Sequence, residues 1–220
     1  MGQCVAGLSV AMKEIFYDWG GANVWLFHAI NNVRDQFLDQ FMLLGTALGD
    51  HANFPFFLCG VSLAALLSVA INHQSDPQPQ DNLALRWLAV IAVFSAAYLL
   101  DGWLVGWFKT WLNFPRPLLA LPLGSVHVVG IPQLHHSLPS GHSSFAMLVI
   151  ASLWPMLNRA GRVVGIVFVL WVGLSRISLG AHFPADVVAA YLISALMVLL
   201  VWASINALLR RINPGNKFAD

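Results

Sequence analysis

Long runs of apolar residues make up most of the chain, and polar or proline-containing stretches separate them. A helix that crosses a bilayer needs roughly 20 mostly apolar residues. Five segments approach that length, the third being the shortest: Phe54–Asn72, Leu83–Phe108, Ser143–Asn158, Val163–Ala181 and Val187–Leu209. The pattern predicts an all-α fold, a polytopic bundle of transmembrane helices.

The segment between residues 14 and 50 has a different pattern. It carries too many charged side chains for a helix that faces lipid. Apolar residues nevertheless recur there at three- and four-residue steps, which indicates a helix: Leu26, Ile30, Val33, Phe37, Phe41, Leu44 and Leu48. We therefore predict an N-terminal amphipathic helix that lies in the membrane interface. The alternative is a sixth helix packed inside the bundle, so the predicted number of spans is five to six.

Composition supports a membrane protein. Hydrophobic residues make up 58% of the chain and charged residues only 10%, whereas a soluble domain carries roughly 25% charged residues. The formal net charge of +1 gives no reason to expect nucleic acid as a partner. The two cysteines, Cys4 and Cys59, do not have the spacing of a metal site.

Basic residues outside the polar motifs described below predict an orientation, because loop Lys and Arg favour the cytoplasm. Placing the turn at 73–82 inside puts these residues on the cytoplasmic side: Arg86, Arg159, Arg162, Arg210, Arg211 and Lys217. We then expect one membrane domain over 1–220, with an interfacial segment at 1–53, the helix bundle at 54–209 and a cytoplasmic tail at 210–220.

Three separated motifs carry the chemistry: Lys109-x6-Arg116-Pro117, Pro139-Ser140-Gly141-His142, and Ser175-Arg176-x5-His182-x3-Asp186. The predicted topology brings all three to the outer membrane face. Charged groups inside a membrane protein are costly and by default functional.

The side chains of these motifs suit a phosphate ester. Arg116 and Arg176 can each make bidentate contacts to phosphate oxygens, and Lys109 adds a point charge. Ser140 and Gly141 precede a helix whose N-terminal N–H groups can hold an anion.

The two histidines suit transfer of the phosphate. Asp186 follows His182 by four residues and can hold one ring nitrogen protonated, which leaves the other as a nucleophile. His142 would protonate the leaving oxygen and later activate water. The first product would be a phosphohistidine.

These three motifs together resemble the signature of the type 2 phosphatidic acid phosphatase superfamily, which also includes lipid phosphate phosphatases and vanadium haloperoxidases. The resemblance implies that Lys109, Arg116, Ser140, Gly141 and Arg176 bind phosphate. It implies that His142 is the general acid, His182 the nucleophile and Asp186 its orienting residue. It also implies six helices, a site near the outer face, and no metal or other cofactor.

Some polar residues outside the motifs have possible secondary roles. Asp101 lies two turns before Lys109, where it could pair with a cation of the site or lie close enough to the interface to be wet. His136 precedes the Pro139 turn and is interpreted as a solvated loop residue, with a contact to substrate phosphate as the alternative. Asp50, followed by His51, is predicted to cap the first span, with a contact to the site as the alternative.

The sequence therefore predicts an enzyme that hydrolyses a lipid phosphomonoester or diphosphate at the periplasmic face of a bacterial-type inner membrane. Its partners would be membrane lipids and a lipid phosphate substrate such as undecaprenyl diphosphate, phosphatidylglycerophosphate, phosphatidic acid or lipid A. Two alternatives remain: a phosphotransferase that passes the phosphate to another lipid, and a non-enzymatic lipid transporter. The sequence does not indicate an oligomeric state.

Overall fold

The structure, a computed structural model, describes residues 17–75 and 81–212, apart from the side chains at 73–75, 81–82, 210 and 212. Over these ranges the chain forms helices and loops and no strand, which confirms the all-α prediction. The α-helices in these ranges are Ala22–Asn31 (α1), Gln36–Leu48 (α2), Phe54–Ser75 (α3), Asp81–Leu112 (α4), Pro117–Ala120 (α5), Gly141–Leu153 (α6), Arg159–Ser178 (α7) and Pro184–Ile212 (α8). Residues 17–53 of the predicted interfacial segment are described. Residues 210–212 of the predicted tail continue α8, and its remainder, 213–220, lies outside the described residues.

Four stretches in the described ranges are long and apolar enough to cross a membrane: His51–Asn72, Leu83–Ala120, Arg159–Ser178 and Pro184–Leu209. They correspond to four of the five predicted spans. The predicted span Ser143–Asn158 is not among them, because α6 has only 13 residues. At 1.5 Å per residue it is about 20 Å long, against about 30 Å of hydrocarbon. The total of five to six spans stays a prediction.

The surface of the bundle is apolar and its interior holds polar groups. Leu66, Val164 and Leu192 are each about 70% exposed, whereas His182 and Asp186 are buried. A water-soluble domain would have the opposite arrangement. The protein is therefore an integral membrane protein with a polar centre.

Three helices share the main apolar core. Its buried residues come from α4, α6 and α8: Val93, Phe94, Ala97, Phe145, Leu148, Val149, Val198 and Val201. Helix α7 approaches α8 at Gly173, where a Cβ would overlap the Tyr191 hydroxyl and come within 2.7 Å of Val187 Cγ1. Small residues allow such close helix contacts in membranes. Because α4 and α7 run opposite to α6 and α8, their motif-bearing ends meet at one end of the bundle.

The N-terminal segment differs from the single amphipathic helix that the periodicity predicted. Residues 32–35 separate α1 from α2, and the Asp35 side chain caps α2 by accepting a hydrogen bond from the Leu38 N–H at 3.0 Å. Both helices pack on the outside of α7, where Gly45 of α2 lies against Trp171. Phe37 in the first turn of α2 is 81% exposed. Within the same stripe, Phe41 stacks on Trp171 with ring centroids 4.6 Å apart, and Ile30 packs against a buried cluster of α1, α7 and α8. The stripe is therefore partly exposed and partly packed on the bundle, and a sixth span stays a prediction.

Candidate active site

The predicted motif residues lie together at one end of the bundle. A main-chain hydrogen bond joins the second motif to the third, since Ser140 N–H donates to the Asp186 carbonyl at 3.1 Å. Within the third motif, His182 N–H donates to the Arg176 carbonyl at 3.1 Å. The Arg116 side chain donates through Nη1 to the Ala181 carbonyl at 3.2 Å. Direct contacts therefore bring residues that are up to 65 positions apart in the sequence together at a single site.

His182 and Asp186 form the buried centre of this site. The His182 side chain is 2% exposed and Asp186 is fully buried. The His182 Nδ1 lies 3.3 Å from Asp186 Oδ2. An ionised carboxylate only accepts hydrogen bonds, so this contact places the imidazole proton on Nδ1 and leaves a lone pair on Nε2.

Asp186 accepts three further hydrogen bonds, which fix its carboxylate. The Ser137 hydroxyl donates to Oδ2 at 2.6 Å and the Phe183 N–H donates to the same oxygen at 2.8 Å. The Tyr17 hydroxyl donates to Oδ1 at 2.9 Å, and its ring stacks on Phe114 with centroids 4.5 Å apart. Burial, together with the nearby carboxylate, raises the pKa of Tyr17, so its hydroxyl keeps the proton that it donates.

Arg116 and Lys109 are held by the loop that precedes α6. Arg116 is buried, and its Nε donates to the His135 carbonyl at 3.0 Å. The Lys109 Nζ lies 3.4 Å from the His136 carbonyl, and a Cβ on Gly141 would lie 4.0 Å from that Nζ. Both cations therefore lie at the loop that leads into the N-terminus of α6.

Arg176 supplies the third cation from the last turn of α7. One of its terminal nitrogens donates to the Thr46 hydroxyl of α2. Its Nε is buried and has no hydrogen-bond partner within the described part of the chain. A buried guanidinium N–H without an acceptor costs free energy, so this donor fits an anionic ligand.

The N-terminus of α6 provides main-chain donors beside these cations. Ser140 precedes the helix and Gly141 begins it, so the N–H groups of its first turn have no acceptor within the helix. The Ser140 hydroxyl is buried and accepts a hydrogen bond from Ser143 at 2.9 Å. His142, on the same turn, lies with its Nε2 3.8 Å from Asp50 Oδ2.

The electrostatic environment keeps His182 neutral. Burial is the largest cause that lowers its pKa, and neighbouring cations lower it further. These cations are Arg116, Arg176, Lys109 and, when protonated, His142. A neutral imidazole has a free lone pair that can act as a nucleophile, and here it lies among cations that can bind an anion.

Two predicted secondary roles have different outcomes. Asp101 does not pair with a cation of the site: it is buried, and it accepts hydrogen bonds from Ser144 and from Ser194, the latter at 2.8 Å. Hydroxyls of α6 and α8 thus satisfy this carboxyl within the bundle. His136 lies next to Lys109, with its Nδ1 2.9 Å from the Lys109 carbonyl.

Several site residues lie outside the motifs. Tyr17, Thr46 and Ser137 contact Asp186 or Arg176 but have no recognisable sequence signal, since each is an isolated hydroxyl far from its partner. Asp50 caps the turn at 51–53 by accepting from the Ala52 N–H at 2.8 Å, as predicted, and it also contacts the site at His142. Among the described residues, no group of three or more His, Cys, Asp or Glu has the arrangement of a metal site.

Known proteins share this sequence pattern and this architecture. Residues 86–210 match the model of the PAP2 superfamily. Phosphatidylglycerophosphatase B of Escherichia coli K12 is 27% identical over a match that covers 51% of this chain and 59% of that protein. A lipid A 1-phosphatase of Rhizobium johnstonii is 38% identical over 29% of this chain and 26% of its own length.

Two crystal structures are similar over most of the fold. Aquifex aeolicus LpxE has a TM-score of 0.62 and 25% identity, covering 83% of this chain and 95% of that protein. A transmembrane PAP2 type phosphatidylglycerolphosphate phosphatase from Bacillus subtilis has a TM-score of 0.64 and 20% identity, covering 96% of this chain and 94% of its own. The second similarity indicates the fold alone.

Proposed function

The chain belongs to the PAP2 superfamily, and we propose that it is a phosphatase that hydrolyses a lipid phosphomonoester or diphosphate through a phosphohistidine intermediate. The buried pair of His182 and Asp186 beside three cations is the observation that carries this proposal. Family membership and the names of similar proteins support the same class of reaction, although the match covers only 59% of the E. coli relative.

In the first step, Nε2 of His182 attacks phosphorus and the bond from phosphorus to the leaving oxygen breaks. His142 donates its proton to that oxygen, which is an alkoxide for a monoester and a phosphate for a diphosphate. Asp186 stabilises the positive charge that develops on the His182 ring through the Nδ1 contact of 3.3 Å. The products are a phosphohistidine and a lipid that has lost one phosphoryl group, which is an alcohol from a monoester and a monophosphate from a diphosphate.

In the second step, water attacks the phosphohistidine while His142 takes a proton from it, and the bond between phosphorus and nitrogen breaks. Arg116, Arg176 and Lys109 would stabilise the charge on the phosphoryl oxygens in both steps. The Ser140 side chain and the first N–H groups of α6 would hold the remaining oxygen. This mechanism requires no metal.

The membrane architecture supports a lipid as substrate. Exposed apolar side chains surround the helices, so a lipid tail can stay in the bilayer while its phosphate enters the site. We propose that the site faces the periplasm of a bacterial inner membrane. Arg86 lies 23 residues before Lys109 on α4, roughly 35 Å along the helix, and so at the opposite end of the helix from the site. Because Arg and Lys at the ends of spans favour the cytoplasm, this position supports a site on the periplasmic side.

Phosphate release by the purified protein from a panel of lipid phosphates tests the activity. The panel contains phosphatidylglycerophosphate, lipid A, phosphatidic acid and undecaprenyl diphosphate, the first two being suggested by the names of the relatives. We expect one of them to give multiple turnovers. No phosphate release from any of them would favour a lipid transporter, and labelled phosphate appearing in a second lipid would favour a phosphotransferase.

The mechanism has its own test in His182→Ala. We expect this variant to insert and fold but to release no phosphate above background, with no acid-labile labelled phosphohistidine after quenching. His28→Ala on α1, outside the motifs, is the control and should keep wild-type turnover. Full turnover by His182→Ala would contradict the phosphohistidine mechanism but not the lipid phosphatase activity.

A further inference from the structure

A carboxylate outside the three motifs lies beside the proposed general acid. Asp50 Oδ2 is 3.8 Å from His142 Nε2, within the range of an ion pair. Asp50 belongs to the connection between α2 and α3, whereas His142 is in the first turn of α6. The contact therefore joins the N-terminal segment to the proposed chemistry.

Close packing holds this carboxylate in place. Asp50 Oδ1 accepts a hydrogen bond from the Ala52 N–H at 2.8 Å, which fixes the side chain as the cap of the turn at 51–53. The preceding Gly49 lies against two other helices: a Cβ there would come within 2.5 Å of Val172 Cγ1 and within 3.4 Å of the His142 carbonyl. The segment cannot move away from His142 without losing these contacts.

The other charged or titratable groups around His142 are two cations and two histidines. They come from four elements and comprise Arg176 of α7, Lys109 of α4, His51 of the turn at 51–53, and His182 before α8. Burial and then Arg176 are the largest causes that lower the pKa of His142 to about 3, and Asp50 is the carboxylate that raises it. A general acid must carry a proton when the leaving group departs, so this environment without a carboxylate would oppose the role proposed for His142.

We propose that Asp50 is a positioning residue that orients His142 and stabilises its protonated form, so that His142 can protonate the leaving oxygen. The inference rests on the proposed function, since it concerns the general acid of that reaction. A bound phosphate would add negative charge near the ring and would work in the same direction as Asp50.

Asp50→Asn separates the effect of the charge from that of the cap. Asparagine is as good a cap as aspartate, so the variant keeps the bond to Ala52 N–H and loses only the charge. Because the Asp50 side chain is 51% exposed, solvent weakens the pair, and exposed pairs typically change an equilibrium by about two- to fivefold. We expect the fall in kcat at high pH, the alkaline limb of the profile, to shift to lower pH by about 0.3–0.7 pH unit.

The sign follows from the charge that is removed. Loss of the carboxylate disfavours the imidazolium, so His142 loses its proton at lower pH and kcat at neutral pH falls, while kcat on the acidic side of the limb stays near wild type. Asp50→Glu restores the carboxylate and should return the limb toward the wild-type position. Asp35→Asn is the matched control, because Asp35 caps α2 in the same way, and it should leave the profile unchanged.

A kcat profile of Asp50→Asn that is unchanged, or lowered equally at every pH, would overturn the proposal and leave Asp50 as a cap. A second measurement does not depend on turnover: nitrogen NMR titration of the His142 ring in histidine-labelled protein saturated with inorganic phosphate. We expect a lower pKa of His142 in Asp50→Asn than in the wild type, and equal values would also overturn the proposal. Absence of activity in the wild type would count against the proposed function alone.

Discussion

Replacing Asp186 with asparagine tests how the carboxylate acts on His182, the proposed nucleophile. Three donors converge on Oδ2: the Ser137 hydroxyl, the Phe183 N–H and the His182 Nδ1–H. The Phe183 N–H is a main-chain donor that cannot reverse. Oδ1 instead receives the hydroxyl of Tyr17, which can rotate and accept. The introduced asparagine should therefore keep its oxygen at the Oδ2 position and turn its NH2 toward Tyr17.

This orientation predicts a moderate loss of activity. His182 keeps its proton on Nδ1, so the nucleophile stays in the correct tautomer, and only the negative charge is lost. A hydrogen bond to a charged group contributes about 1.5–3 kcal/mol and a neutral one about 0.5–1.5 kcal/mol. The difference of roughly 1–1.5 kcal/mol grows as the ring gains positive charge in the transition state. We expect kcat to fall about 10- to 100-fold.

The assay is steady-state phosphate release by Asp186→Asn and wild type from the best lipid substrate, with gel filtration and thermal unfolding to check the fold. A loss near 10⁴-fold in a folded variant would indicate an inverted tautomer, as in serine-protease triads, and would refute the constraint from Phe183. A loss below about threefold would refute a role for the charge. Asp186→Ala is the contrasting variant, because it leaves three buried donors and the part-buried Tyr17 hydroxyl without an acceptor, at about 1–3 kcal/mol for each buried donor, and it should fail to fold.

Two further predictions concern the bundle that supports the site. Gly173→Ala forces a methyl group into Tyr191, and because overpacking of this kind costs about 1–3 kcal/mol, the melting temperature of the variant in detergent should fall by several degrees. Gly106→Ala is the control, because a Cβ there meets nothing within 4 Å. Equal melting temperatures for the two variants would contradict the packing argument. Asp101→Leu removes the acceptor shared by Ser144 and Ser194 and should lower the free energy of unfolding by about 1–3 kcal/mol. Asp101→Asn should lower it less. A greater loss of stability for the asparagine variant would show that the carboxyl itself is required.

The sequence predicted those features that depend on local pattern. Long apolar runs indicated α3, α4, α7 and α8 to within a few residues at most ends, because hydrocarbon thickness sets helix length. The order of the motifs along the spans also predicted which residues meet. Lys109 and Arg176 lie near the ends of helices, on the side of the bundle where Ser140 precedes the start of another helix. Both inferences depend only on the residues close to each position in the sequence and on the fact that successive spans cross the membrane in opposite directions.

Long-range contacts made by single residues could not be predicted. Tyr17 reaches Asp186 across 169 positions, and nothing in its neighbourhood indicates a polar partner. The break between α1 and α2 was missed because the apolar spacing continues through it, although Asp35 is a good helix cap. The partner of Asp101 was misjudged because a sequence does not tell whether a buried carboxyl meets a cation or two hydroxyls.

The contacts of Arg116 explain why this position needs a fork and not merely a charge. Its Nε binds the His135 carbonyl and its Nη1 binds the Ala181 carbonyl, so one planar group ties together two connections from different parts of the chain. Further N–H groups remain on the same plane for a ligand. A lysine would bring the same charge but only one compact ammonium. Arg116 thus connects the two loops without any substrate bound, and its guanidinium is already oriented when a ligand binds.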